Sequence, residues 1–258
     1  MATRRFSVYA LAAVLLASLA GSAAARSLGR AHWAIVNGHK IYYETGGSGR
    51  PLLLLHGGGA SAVESFESQL DEFTRGHRVI APEQVGQGHS PDIDAPLSYA
   101  AMMEDTAALL QQLHIADIDV VGWSDGGILA LMLAIHYPQL VHSVVVSGTN
   151  ISPDGLLDSE LAALRDAADT ADIHGKLRQL WRSSPTRDEL NWTLLQQLQK
   201  PVLVLAGDND VIKPTHTRAI YHALPRAQLI VLPDTGHATF TQRPEIVNPA
   251  VLEFIANN

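Results

Sequence analysis

The 258-residue chain contains no cysteine, which removes disulfides, thiol catalysis and zinc–thiolate sites together. Its histidines lack ligand spacing as well. His32/His39 and His136/His142 form no H-x-x-x-H pair, and His89, His216 and His222 stand apart, so no metal site is expected. Charge is scarce: 17% of residues are charged, and 26 acidic against 18 basic residues leave a net −8. With no basic stretch interleaved with aromatics, a nucleic-acid partner is not expected. The acidic excess is spread along the chain and reads as solubility. No G-K-[ST] or G-x-G-x-x-G follows the glycine-rich segment at 57–59, so it does not read as a nucleotide cradle. Long apolar runs are missing too. The apolar stretch at 8–20 is thirteen residues long, short of the roughly 20 that span a bilayer, and no stable membrane partner is expected.

That stretch lies behind Arg4-Arg5 and ahead of Ala23-Ala24-Ala25. The pattern is that of a secretory signal peptide. Cleavage after Ala25 and export are expected, with a retained anchor as the alternative; the twin arginine does not decide between export routes, because Phe6 stands one place early. Residues 26–258 are expected to form one domain. Hydrophobic content of 47% is that of a globular chain able to bury a substantial core.

What is present is a set of short motifs, each directly behind a strand-like run. Gly122-Trp123-Ser124-Asp125-Gly126 follows the apolar run 118–121 and precedes a helical pattern over 128–135. In that setting G-x-S-x-G is a nucleophile elbow, a sharp turn that holds the serine at positive φ with Oγ projecting from the sheet edge. The helix that follows aims its first N–H groups where an oxyanion can form. His56-Gly57-Gly58-Gly59 comes after the run 51–55 and can supply a second oxyanion donor. Gly58 is the expected donor, paired with the N–H of Asp125; Gly59 remains the alternative. Gly207-Asp208-Asn209-Asp210 follows the run 201–206, and Gly236-His237 follows 228–232. A histidine can take the proton of Ser124, and a buried carboxylate can hold its tautomer.

The order serine, aspartate, histidine, with each residue behind a strand, resembles the α/β-hydrolase superfamily over residues 32–258. The resemblance implies an α/β fold with a mostly parallel, eight-stranded sheet flanked by helices, and a short helical lid over residues 151–199. It implies a serine hydrolase acting on small ester-type substrates with water, needing no cofactor. Lactone, amide, carbon–carbon and perhydrolytic chemistry on the same triad are alternatives, and a non-catalytic binding protein is a further one. In that family the acid lies in a G-x-x-D pattern with a proline beyond, which assigns it to Asp210, with Pro214 following. Asp208 then caps the turn. His56 is expected to brace its own loop. Gly86-Gln87-Gly88-His89-Ser90 resembles the G-x-G-x-S turn of family members, which often carry aspartate where Glu83 stands; it reads as structural. The Gly-Trp-Ser-Asp-Gly-Gly form of the elbow resembles valacyclovir-hydrolase-like enzymes. Asp125 therefore carries two readings, a carboxylate stabilising a helix N-terminus or a substrate-binding group facing a cation. Trp123, Trp181 and Trp192 are expected as pocket walls or core.

The wiring follows from periodicity. Asn37-Gly38 predicts a two-residue hairpin. A helix is expected over 60–74, and another behind the cap Ser98 with Tyr99, Met102, Met103, Thr106, Leu109, Leu110 and Leu113 on its inner face. Strands and helices then alternate to a closing helix at 244–256. Between 147 and 200 no strand pattern occurs. There Leu161, Leu164 and Ala168 share one face, Ile173, Leu177, Leu180 and Trp181 another, and Thr186 to Glu189 reads as a capping box for a helix carrying Leu190, Leu194 and Leu198.

Overall fold

The computed structural model describes residues 28–183, 185 and 188–258; the expected signal peptide and Thr186 lie outside them. The chain begins with strands β1 (Arg30–Val36) and β2 (His39–Gly46), joined across Asn37-Gly38 at φ 50° and 87°. Two positive φ angles make the tight turn whose twist matches that of the strands. Then come β3 (Arg50–Leu55), β4 (His77–Pro82), β5 (Ile118–Trp123), β6 (Val141–Ser147), β7 (Val202–Gly207) and β8 (Ala227–Leu232). They form one eight-stranded sheet in the order β1-β2-β4-β3-β5-β6-β7-β8, antiparallel at β1–β2 and β2–β4 and parallel from β4 to β8.

The helices are α1 (Ala62–Phe66), α2 (Leu70–Phe73), α3 (Tyr99–Gln112), α4 (Asp125–His136), α5 (Asp158–Asp166), α6 (Ile173–Ser183), α7 (Trp192–Gln197), α8 (Pro214–Ala223), α9 (Thr239–Gln242) and α10 (Pro244–Ala256). Both faces of the sheet are covered, which is why its central strands are unbroken apolar runs. Along β3 the faces alternate with the two-residue period of a strand. Leu53 and Leu55 pack with Met102, Leu109 and Leu131 of α3 and α4. Leu52 and Leu54 pack with Phe66, Phe73, Val251 and Phe254 on the other side.

The strand order reverses at β3. Its chain successor β4 lies to one side and β5 to the other, so the loops after β3 and β5 part. A crevice opens there at the carboxyl ends of the strands.

Three local expectations are corrected. The helix expected over 60–74 is two short ones, because Gln69 turns fully inward, donating from its amide to the Phe240 carbonyl at 2.7 Å and to Asn248 Oδ1 at 2.8 Å. Ser61 starts α1 with a capping box closed by Glu64. Asp188 and Glu189 form a turn, and α7 is capped by Asn191, whose Oδ1 accepts the Leu194 N–H at 2.9 Å. The helix expected to carry Leu190 thus starts later, at Trp192, with its cap inside the stretch assigned to it. Finally, α5 ends at Asp166, which leaves Ala168 exposed. As expected, no strand appears between 147 and 200 among the described residues. The segment packs instead through Leu156, Leu161, Leu164 and Trp181 onto Val211 and Ile212, beside Asp210.

Candidate active site

Ser124 sits between β5 and α4 at φ 55° and ψ −118°, a conformation costly for a residue with a side chain and held by its surroundings. The turn is tight because strand and helix nearly touch: a Cβ on Gly126 would lie 1.9 Å from the Leu55 carbonyl oxygen. His237, after β8, approaches with Nε2 3.0 Å from Ser124 Oγ and Nδ1 2.7 Å from Asp210 Oδ1. Asp210, after β7, is buried, and its Oδ1 also accepts the Ile212 N–H at 3.1 Å. The two contacts to His237 put the proton on Nδ1 and leave Nε2 to accept from the serine.

Asp208 lies apart from this line. It is exposed and accepts from the Thr235 N–H at 3.0 Å and Asn209 Nδ2 at 2.8 Å. The backbone hydrogen bond from Thr235 is the main reason its carboxyl lies below the ordinary range.

The two glycine amides of the loop after β3 are in different situations. The Gly59 N–H donates to Gln87 Oε1 at 2.7 Å. The Gly58 N–H meets no acceptor among the described residues. The Asp125 N–H, first in α4, has no carbonyl one turn back to bind it. Gly58, in the loop after β3, and Asp125, at the start of α4, therefore hold the open donors among the described residues. His56 is buried and neutral: its Nδ1 donates to the Gly57 carbonyl at 2.8 Å, and its Nε2 accepts the Gln84 N–H at 2.9 Å. Burial holds its pKa below the usual imidazole value.

The Asp125 carboxylate is buried against the same loop. Its Oδ1 accepts from the Tyr99 hydroxyl at 2.9 Å and its Oδ2 from Trp181 Nε1 at 2.8 Å. Desolvation raises its pKa, while these two hydrogen bonds and the nearby His237 pull it back. A Cβ on Gly58 would lie 2.2 Å from Oδ2 and 2.9 Å from the Trp181 ring, so only glycine fits there. Trp181 thus brings the 151–199 segment down onto the site. Trp123 lies against both the histidine and the glycine loop: its Nε1 donates to the His237 carbonyl at 2.9 Å, its ring tilts against the imidazole at 5.6 Å, and a Cβ on Gly57 would lie 2.8 Å from that ring. It steadies the histidine loop. Trp192 is 41% exposed and packs edge-on to His216.

Glu83 binds the N–H and Nδ1 of His89, and Ser90 Oγ donates to the Glu83 carbonyl, so this turn is internally braced. Three residues with a bearing on the site escape a reading by motif. They are Tyr99, which the helical stripe marks as core; Gln87, inside the turn after β4; and Gly148, whose missing side chain leaves room for the His237 ring. A polar side chain flanked by two glycines was the available signal for Gln87.

Residues 50–180 match the family described as the alpha/beta hydrolase fold, and residues 177–258 match a TAP-like protein family. Human serine hydrolase BPHL is 27% identical over 245 residues, covering 85% of this chain and 84% of that protein. A non-heme haloperoxidase of Rhodococcus erythropolis is 28% identical over 265 residues, covering 85% and 97%. The solved meta-cleavage product hydrolase CumD of Pseudomonas fluorescens IP01 superposes with a TM-score of 0.74 over 88% of this chain and 97% of its own, at 21% identity. More than half of the chain matches one family, and the chain belongs to the α/β-hydrolase family.

Proposed function

We propose that this hydrolase cleaves carboxylic-ester-type bonds of small substrates through an acyl-enzyme. The reading rests on the unbroken line Ser124 Oγ, His237 Nε2, His237 Nδ1, Asp210 Oδ1, at 3.0 Å and 2.7 Å. Ser124 attacks the carbonyl carbon while its proton passes to Nε2. The Gly58 and Asp125 N–H groups take the charge that gathers on the carbonyl oxygen. Nε2 returns the proton to the leaving alcohol as the bond to it breaks. A water molecule then gives a proton to Nε2, attacks the acyl carbon and releases the acid, and Ser124 recovers its proton. Asp210 holds the imidazolium through Nδ1.

Among its described residues the segment 151–199 offers three short α-helices as the lid, and Trp181 places an indole beside Gly58, which favours short acyl groups. Asp125 serves this site as a support, since both its oxygens already accept from protein donors. Named relatives span a haloperoxidase, a carbamate hydrolase and a 2-hydroxymuconate semialdehyde hydrolase, so the bond class is tested with a panel. p-Nitrophenyl esters of graded length, lactones and aminoacyl esters are compared for kcat/KM. Short esters should lead; activity that climbs through acyl chains of about twelve carbons or more refutes the small-pocket reading. A fluorophosphonate should label Ser124 alone, and Ser124→Ala should lose about 10⁴-fold or more in kcat. Export is a separate proposal, checked by N-terminal sequencing of protein recovered from outside the cytoplasm, with Arg26 expected first.

A further inference from the structure

Residues 57–60 form a turn closed by the Ala60 N–H on the Gly57 carbonyl at 3.2 Å, with Gly59 at φ +78°. A positive φ at the third position marks the type II form. Two successive glycines make such a turn soft, because the peptide between them can flip at little steric cost. Oxyanion stabilisation needs the opposite, donors fixed before the charge arrives.

The central peptide is held from outside the turn. Gln87 is 3% exposed, and its Oε1 takes the Gly59 N–H at 2.7 Å. Its own amide is turned to Met102 Sδ at 3.7 Å, a weak acceptor. A buried glutamine with half its amide on a thioether contributes little to stability, since ordering and desolvating it cost free energy. Its well-made bond is the one to the glycine turn. On the other side of the turn, Asp125 Oδ2 and Trp181 close on Gly58. Helix α3 stands behind both supports, through Tyr99 on Asp125 and Met102 on Gln87.

We propose that Gln87 is a positioning residue for the oxyanion hole: by binding the Gly59 N–H it fixes the turn and leaves the Gly58 N–H as the donor to the reacting carbonyl oxygen. The proposal rests on the serine-hydrolase reading above and deepens it. Gln87 touches no reacting atom. Its effect passes through the Gly58 peptide, so its loss should appear in the transition state and not in substrate binding.

The test compares wild type with Gln87→Leu and Gln87→Met, both of which remove the acceptor and keep an apolar fit beside Met102. Each is assayed on p-nitrophenyl acetate and on its thionoester, whose sulfur is a poor acceptor from oxyanion-hole donors. The expected result is a fall in kcat on the oxoester of about 10- to 100-fold, with KM changed less than about threefold. The thionoester rate should fall much less, so the oxo-to-thiono ratio collapses. Equal losses on both substrates would mean general damage to the site, and unchanged rates on both would mean that Gly58 needs no such brace; either overturns the proposal. Melting curves confirm that at least one variant is folded. Fluorophosphonate labelling of the wild type at Ser124 separates the two ideas: without it the hydrolase reading itself fails, and with it a steady ratio refutes only the role of Gln87.

Discussion

Replacing Gly148 with alanine should disable the site without replacing any reacting group. Gly148 follows β6 at φ +59°, and a Cβ there would lie 2.8 Å from both Cε1 and Nδ1 of His237. Carbon contacts of this kind settle at about 3.5 Å or more, so the ring must retreat by roughly 0.7 Å. It cannot retreat freely, because its two nitrogens are tied to Ser124 and Asp210 at 3.0 Å and 2.7 Å. At least one of those bonds lengthens. A misplacement of about 1 Å in a reacting array costs on the order of 10²-fold, so kcat on p-nitrophenyl acetate should fall about 30- to 100-fold. KM should hold, since the atoms nearest the new Cβ belong to His237 and Asp210. The left-handed backbone adds about 1–2 kcal/mol of strain for alanine, or a Tm lower by about 2–8 °C in a chain of this size. The rate of fluorophosphonate labelling at Ser124 should fall in parallel with kcat, because both need His237 as base. A folded Gly148→Ala protein with kcat within threefold of wild type would refute the reasoning and show that the imidazole has room to spare.

Asp210→Asn should lower kcat by orders of magnitude through the wrong imidazole tautomer, whereas Asp208→Asn should act mainly on melting temperature; an exchange of these outcomes would reassign the acid. Asp125→Asn should keep kcat within about tenfold, because an amide can accept from Trp181 Nε1 and donate to the Tyr99 hydroxyl. Asp125→Leu strands both donors, at about 1–3 kcal/mol each by urea denaturation. The kcat/KM ratio of an aminoacyl ester to its des-amino analogue should be near one in wild type and in Asp125→Asn; a large ratio that the substitution abolishes would show that the carboxylate reads a substrate cation. His216 is held at a pKa of about 4 by desolvation and then by Lys213, and its Nε2 accepts the Ile151 N–H at 3.1 Å. As pH falls through the ordinary value near 6.5, the unfolded chain takes the proton first. Stability should therefore be full above about pH 6.5 and decline towards pH 4, by at most about 3 kcal/mol. His216→Gln, whose amide oxygen can still accept from Ile151, should flatten that slope in urea titrations at pH 7.5 and 4.5.

Much of the frame is written in short stretches of chain. Asn37-Gly38 defines its hairpin because the turn needs two residues that tolerate positive φ. Ser98 begins α3 as its side chain accepts the Ala101 N–H, and the run of α3 that follows keeps one buried stripe. The four site motifs are local in the same way, each a few residues at the end of a strand, and their order along the chain points to the family. The helix expected over 60–74 fails for the opposite reason: Gln69 answers to Phe240 and Asn248, more than 170 residues away.

By itself, then, the sequence determined the strand-and-helix rhythm, the hairpin, the elbow and the identity of the residues that meet at the site, because each depends on backbone preferences and side-chain periodicity within a few positions. The tertiary structure alone decided which donors stay open and which side chains hold them. Gly58 and Gly59 are indistinguishable as letters, and only the arrival of Gln87 from the loop after β4 engages one and leaves the other. Asp125 reads from the sequence as a helix-terminus or a substrate-facing carboxylate, and only the fold shows that Tyr99 from α3 and Trp181 from α6 donate to its two oxygens. Hydrogen-bond partners are chosen by which loops converge at the ends of β3, β4 and β5, and that convergence exists only once the sheet has formed.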